Sequence, residues 1–186
     1  MVIKIRGCQY GARAWKIIRE AKDMSEEKKK YNVDSFNLDH TKVTAPFVRL
    51  ASKKKGKHGD VVTKFDIRFC QPNKDFMATG EIHTLEHLVA EYIRDEIPDD
   101  VIDFSPMGCR TGFYFTVWGD HEESYIAEHL VNVLKKVAVW DKEIPAATEK
   151  ECGNYRDHNL EGAKEAARKW VEGIESKGRH CYKDSE

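Results

Sequence analysis

His83, Glu86 and His87 lie in the stretch "GEIHTLEHLVAEYIRDE", two imidazoles and a carboxylate within about one turn of a prospective helix. Each helical residue rotates the side-chain direction by about 100°, so His83 and His87 stand about 40° apart, one above the other. Nitrogens placed that way suit a single tetrahedral or related metal centre. Glu86, adjacent in sequence to a ligand, suits proton transfer to atoms bound at an open coordination position. The order H-x-x-E-H inverts the familiar zinc-protease motif. A plain solvated helix face accounts for the same residues, and the pattern alone does not separate the two readings.

A third ligand tips the balance towards a metal. Cys152 in "EKECGNYRDH" is flanked by polar residues and followed by Gly153, which permits an unusual backbone turn. A thiolate with two imidazoles suits a divalent transition ion and leaves one position open. Read alone, Cys152 is an inert loop cysteine, and His158 and His121 are alternative ligands that spacing does not exclude. Cys109 in "SPMGCRTG" follows a tight turn and precedes a strand. From such a corner a thiolate acts as acid, base or nucleophile; the plainer reading is a buried structural cysteine. Arg68 on the polar face of its strand, and Ser35 and His40 in "DSFNLDHT", suit the holding of a charged substrate or are ordinary surface residues.

The chain that must position these groups has 186 residues, 40% hydrophobic and 34% charged, with net charge −1. That predicts one soluble globular domain with a substantial core, and gives no electrostatic case for nucleic acid or an anionic membrane. No apolar run reaches the roughly 18 residues of a membrane span, and the N-terminus lacks the apolar centre of a secretory signal, so a cytoplasmic protein is expected. Cys8, Cys70, Cys109, Cys152 and Cys181 are too irregularly spaced for a disulfide framework.

Residues 1–33 read as an N-terminal extension. Trp15, Ile18 and Ala21 fit a helix, and Lys28, Lys29 and Lys30 begin a solvated link, with Met24 a candidate physiological start. In the main domain, 34–186, a strand is expected over 46–51 and an exposed basic turn over Lys53–Gly59. From Val61 the chain alternates, with Thr63, Phe65 and Ile67 on one face and Lys64, Asp66 and Arg68 on the other. A helix over about 81–95 follows, its buried stripe Ile82, Leu85, Val89 and Tyr92 or Ile93, stopped by Pro98. Short strands over Val101–Phe104 and Thr111–Trp118, then helices over about 122–139 and 159–176, complete an α+β pattern without a strict βαβ rhythm.

Five segments, "DSFNLDHT", "FDIRFCQPNKD", "IHTLEHLVA", "SPMGCRTGFY" and "ECGNYRDHNLEGAK", together closely resemble the S-ribosylhomocysteine lyase (LuxS) family, in the same order and over roughly residues 34–175. The resemblance implies an antiparallel sheet packed against helices, the sandwich shared with inverse-motif metalloenzymes. It implies metal ligands His83, His87 and Cys152, proton-transfer groups Glu86 and Cys109, and pocket residues Ser35, His40 and Arg68. It further implies one Fe2+ per subunit, with Zn2+ or Co2+ as substitutes, and a homodimer whose active sites lie at the subunit interface. The implied reaction moves the ribose carbonyl along the sugar of S-ribosylhomocysteine and then eliminates homocysteine, leaving 4,5-dihydroxy-2,3-pentanedione, the autoinducer-2 precursor. The extension before Asp34 and a short "DEIPDDVIDF" connection depart from the family pattern.

Two rivals compete. An inverse-motif zinc peptidase takes a glutamate as third ligand, where this chain presents Cys152. A structural metal domain closes its site with a fourth protein ligand, His158.

Overall fold

The computed structural model describes residues 31–177. The expected N-terminal helix, its lysine-rich link, Met24, Cys8 and Cys181 lie outside them. Residues 31–37 belong to a separate compact unit, 1–37. There Asp34–Asn37 forms a 3-10 turn, and the Asn37 side-chain amide donates to the carbonyls of Tyr31 and Val33.

In the larger unit, strands β1 (Phe47–Lys55), β2 (Val61–Arg68), β3 (Val101–Pro106) and β4 (Gly112–Trp118) form one antiparallel sheet in the order β1-β2-β4-β3. Helices α1 (Thr79–Glu96), α2 (Glu123–Ala138) and α3 (Leu160–Ser176) supply the other layer. Alternation explains the packing. Phe65, Ile67, Phe113, Phe115 and Val117 share one cluster with Leu85, Leu88, Val89 and Ile93 of α1, Leu130 and Leu134 of α2, and Trp170 and Ile174 of α3. Each such aliphatic or aromatic side chain taken fully out of water contributes about 1.5–3 kcal/mol before chain entropy is counted. The α+β expectation therefore holds.

Boundaries shift for local reasons. Lys53–Lys55, expected in a turn, continue β1 opposite Thr63, Val62 and Val61, and only Gly56–Asp60 reverses the chain. Helix α1 begins at Thr79 rather than 81. Ala78 has no side chain with which to cap it, but the Glu81 carboxylate reaches back to accept the Ala78 N–H at 3.0 Å, half of a capping box. Helix α3 is capped as its sequence suggests, the Asn159 side chain accepting the Gly162 N–H at 3.0 Å. On β2, Asp66 and Arg68 lie off the core face as expected, yet both are fully buried, made tolerable there by their mutual ion pair.

Candidate metal centre

Helix α1 presents His83 and His87 from one face, and the loop between α2 and α3 brings Cys152 and His158 against them. Gly80 allows that approach: a Cβ there would lie 3.2 Å from the His158 carbonyl carbon and the Asn159 nitrogen. The Asn159 N–H donates to the Gly80 carbonyl at 3.0 Å, tying the loop to the first turn of α1. Gly153, which permits an unusual turn, does not adopt a left-handed one. Its φ lies outside the left-handed region and a Cβ would enter open space.

One donor atom from each of His83, His87, Cys152 and His158 falls within 4.8 Å of all the others. The tautomers follow from the partners. His83 Nδ1 lies 2.8 Å from the Asp157 carbonyl and His87 Nδ1 2.8 Å from the Pro145 carbonyl. A carbonyl only accepts, so each Nδ1 carries the proton and each Nε2 keeps a free lone pair. Ala146, just past Pro145, holds a left-handed φ of 54°, a conformation a non-glycine residue keeps only where its surroundings fix it. The Cys152 sulfur accepts the Asn154 N–H at 3.4 Å and lies 3.4 Å from His83 Nε2. Tetrahedral ligands with bonds of about 2.0–2.3 Å are separated by about 3.5 Å, so the donors present fit a divalent transition ion.

Ring orientation distinguishes the histidine pairs. A nitrogen lone pair lies in the plane of its ring. His83 and His87 meet edge-on at 80° with centroids 4.7 Å apart, and their planes converge. His83 and His158 are stacked at 4.2 Å with planes only 20° apart, and near-parallel planes do not aim two lone pairs at one ion about 2 Å away. His158 meets His87 as His83 does, edge-on at 80° with centroids 4.8 Å apart, and Cys152 lies beside His83, so all four side chains border one site. His158 Nε2 is buried and without a hydrogen-bond partner. Burial first, then the neighbouring His83 and His87, holds the His158 pKa below the ordinary histidine value. The Glu86 carboxylate, a third exposed, sits 3.9 Å from His87 Nε2, beside the centre and not within it.

Cys109 belongs to a second cluster. It is exposed on the β3–β4 turn, so the structural-cysteine reading fails for it. The next residue, Arg110, takes a left-handed φ of 58° and its guanidinium lies over the Phe76 ring at 4.5 Å. Cys109 Sγ is 3.1 Å from Thr111 Oγ1, which also meets Arg68 Nη1. Burial raises the Cys109 pKa, but hydrogen bonds from Thr111 and the Arg68 charge outweigh it and leave the thiol below its ordinary value. By contrast, burial pushes Cys70 up to about 11, an inert thiol. Among the described residues no hydrogen bond or ion pair joins this cluster to the histidines. His40 is half-buried with Nδ1 2.9 Å from the Leu38 carbonyl, leaving Nε2 free. Ser35 is half-buried in the 3-10 turn of the other unit. His121, one of the alternative ligands, lies beside Asp100 instead, its Nε2 3.2 Å from the carboxylate.

Sequence reading missed Thr84 and Thr111. Thr84, fully buried, contacts His158 Nδ1 at 3.2 Å, but a lone hydroxyl on an apolar stripe gives no spacing signal.

The profile of the LuxS family, S-ribosylhomocysteinase, matches residues 33–180. The chain is 58% identical over 136 residues to the S-ribosylhomocysteine lyase of Clostridioides difficile, an alignment spanning 73% of this chain and 89% of that protein. It is 55% identical over 137 residues to the enzyme of that name from Thermus thermophilus, covering 74% and 87%, and 50% identical over 147 residues to that from Lactococcus lactis, covering 76% and 92%. Half or more of the residues are thus shared across nearly the whole length of these lyases, and the chain belongs to the LuxS family.

Proposed function

We propose that this protein cleaves the thioether of S-ribosylhomocysteine to homocysteine and 4,5-dihydroxy-2,3-pentanedione. The observation that carries this is the convergence of His83, His87 and Cys152 inside a LuxS-family fold, with Glu86 beside them. His83, His87 and Cys152 would hold an iron(II) ion, with zinc or cobalt as substitutes, which would supply Lewis acidity towards a sugar carbonyl.

Breaking that bond without net oxidation requires moving the carbonyl along the ribose until the carbon next to the C–S bond can lose a proton. Each shift removes a proton from one carbon and returns one to its neighbour, so the site needs groups that both accept and donate. Glu86, on the same helix turn as both histidines, serves one side of the sugar. Cys109, whose thiolate forms more readily than an ordinary thiol's, serves the other. Elimination of homocysteine then follows from the carbanion next to the carbonyl. The resemblance makes Ser35, His40 and Arg68 substrate-binding residues; His40 keeps Nε2 free for the purpose, and Arg68 acts from behind Thr111. The enzyme is a cytoplasmic homodimer with both sites at the subunit interface, acting in methyl-cycle recycling and in autoinducer synthesis. The peptidase reading lacks a glutamate in the Cys152 position, and the closed structural site conflicts with the stacking of His158 on His83.

Protein loaded with iron(II) without oxygen should release one free thiol per S-ribosylhomocysteine, read with a chromogenic disulfide. Cys109→Ala and Glu86→Gln should keep their metal and lose at least about a hundredfold in rate. A fully metallated wild type releasing no thiol would refute the assignment.

A further inference from the structure

We propose that Thr111 is a positioning residue: held from behind by Arg68, it directs its one hydroxyl proton onto the Cys109 sulfur and keeps that sulfur ready to accept a proton. The inference rests on the reading of Cys109 as a proton carrier. Its support is a chain of hydrogen bonds that runs from Arg68 through Thr111 to the sulfur. A guanidinium only donates, so in the Arg68 Nη1 bond the Thr111 hydroxyl oxygen is the acceptor. Arg68 is not free to turn elsewhere: Nε and Nη2 donate to the Asp66 carboxylate at 3.1 and 2.7 Å, and Arg49 donates to the same carboxylate at 3.3 Å. Asp66 and Arg68 are 0% and 1% exposed, so neither is screened by water or swings away cheaply. Trp170 Nε1 fixes the Arg68 carbonyl at 3.0 Å.

The Thr111 backbone is anchored independently of its side chain, its carbonyl accepting the N–H groups of Phe69 and Cys70 at 2.9 and 3.0 Å. Once Cys109 is the thiolate its sulfur has no proton to give, so the 3.1 Å contact is then made by the Thr111 hydroxyl, whose oxygen still accepts from Arg68. A sulfur that receives such a bond is stabilised as the thiolate. Arg68 on β2 is the charge that acts on Cys109, with Asp66 behind it; Arg110, in the same turn, is turned onto Phe76. Arg68 therefore reaches the reacting sulfur through Thr111, and a buried threonine adds a residue to the proton-transfer machinery.

The test is the pH profile of Cys109 alkylation by iodoacetamide in metal-loaded wild type, Thr111→Ser and Thr111→Val, followed by mass spectrometry of the peptide carrying Cys109. Wild type and Thr111→Ser should share a midpoint below that of an ordinary thiol. Thr111→Val should shift it upward and slow alkylation at pH 7 by about three- to tenfold. A wild-type profile like an ordinary thiol's, or a Thr111→Val profile matching wild type, overturns the proposal. Should Thr111→Val fail to fold, a Thr111→Ser midpoint at the ordinary thiol position overturns it as well. Lyase turnover is measured separately: Cys109→Ala retaining full turnover would remove Cys109 from the reaction while leaving the alkylation result intact.

Discussion

A ring plane sets His158 apart from His83, on which it is stacked. His83 and His87 each spend Nδ1 on a carbonyl and keep Nε2 for an ion, His83 Nε2 lying 3.4 Å from the Cys152 sulfur, whereas His158 lies flat on His83. Cys152→Ala should therefore lose the ion on dialysis. His158→Gln should hold one per chain with affinity lowered by no more than about ten- to a hundredfold, the scale of an outer hydrogen-bonding partner. Metal analysis after exhaustive dialysis reads both, and a His158→Gln protein as metal-free as Cys152→Ala would make His158 a ligand. The sequence made His83, His87 and Cys152 legible because metal chemistry restricts residue type and helical spacing. It left His158 undecided because ring orientation leaves no trace in spacing, and it missed Thr84 and Thr111 because a hydroxyl's role depends on which neighbour takes its proton.

Elements fix how closely these groups approach, and glycines set the closest contacts. Gly112 on β4 pairs with Arg68 on β2, and a Cβ there would lie 2.2 Å from the Ile67 carbonyl oxygen. Gly112→Ala should force the two strands apart just where Arg68 reaches Thr111. The expected cost is about 2–4 kcal/mol, while Gly153→Ala, with open space around its Cβ, should stay within about 0.5 kcal/mol of wild type. Urea unfolding of the metal-loaded proteins compares them; equal stability of the two variants would show that β2 and β4 yield more easily than the geometry says. Helix and strand positions were legible from alternation and helical periodicity. Their ends were not, since the start of α1 depends on Glu81 reaching back to Ala78 and the length of β1 on which lysines pair with β2.

For the whole molecule, an α+β mixture follows from hydrophobic pattern, and the antiparallel arrangement and the substrate do not: no spacing of histidines names a sugar thioether. That came from five blocks resembling one family, and the family match over residues 33–180 agrees. The homodimer comes from the same resemblance; sedimentation of the metal-loaded protein should give about twice the 21.5 kDa chain mass, and a monomer retaining full lyase turnover would exclude sites shared between subunits. Central to the whole account is one ion held by His83, His87 and Cys152 with a position left for substrate. Absorption spectroscopy of the cobalt-substituted protein tests it most directly. The account predicts four-coordinate cobalt with a thiolate charge-transfer band that vanishes in Cys152→Ala, and a visible spectrum that changes when S-ribosylhomocysteine is added. A spectrum without the thiolate band, or one that substrate leaves untouched, would contradict it.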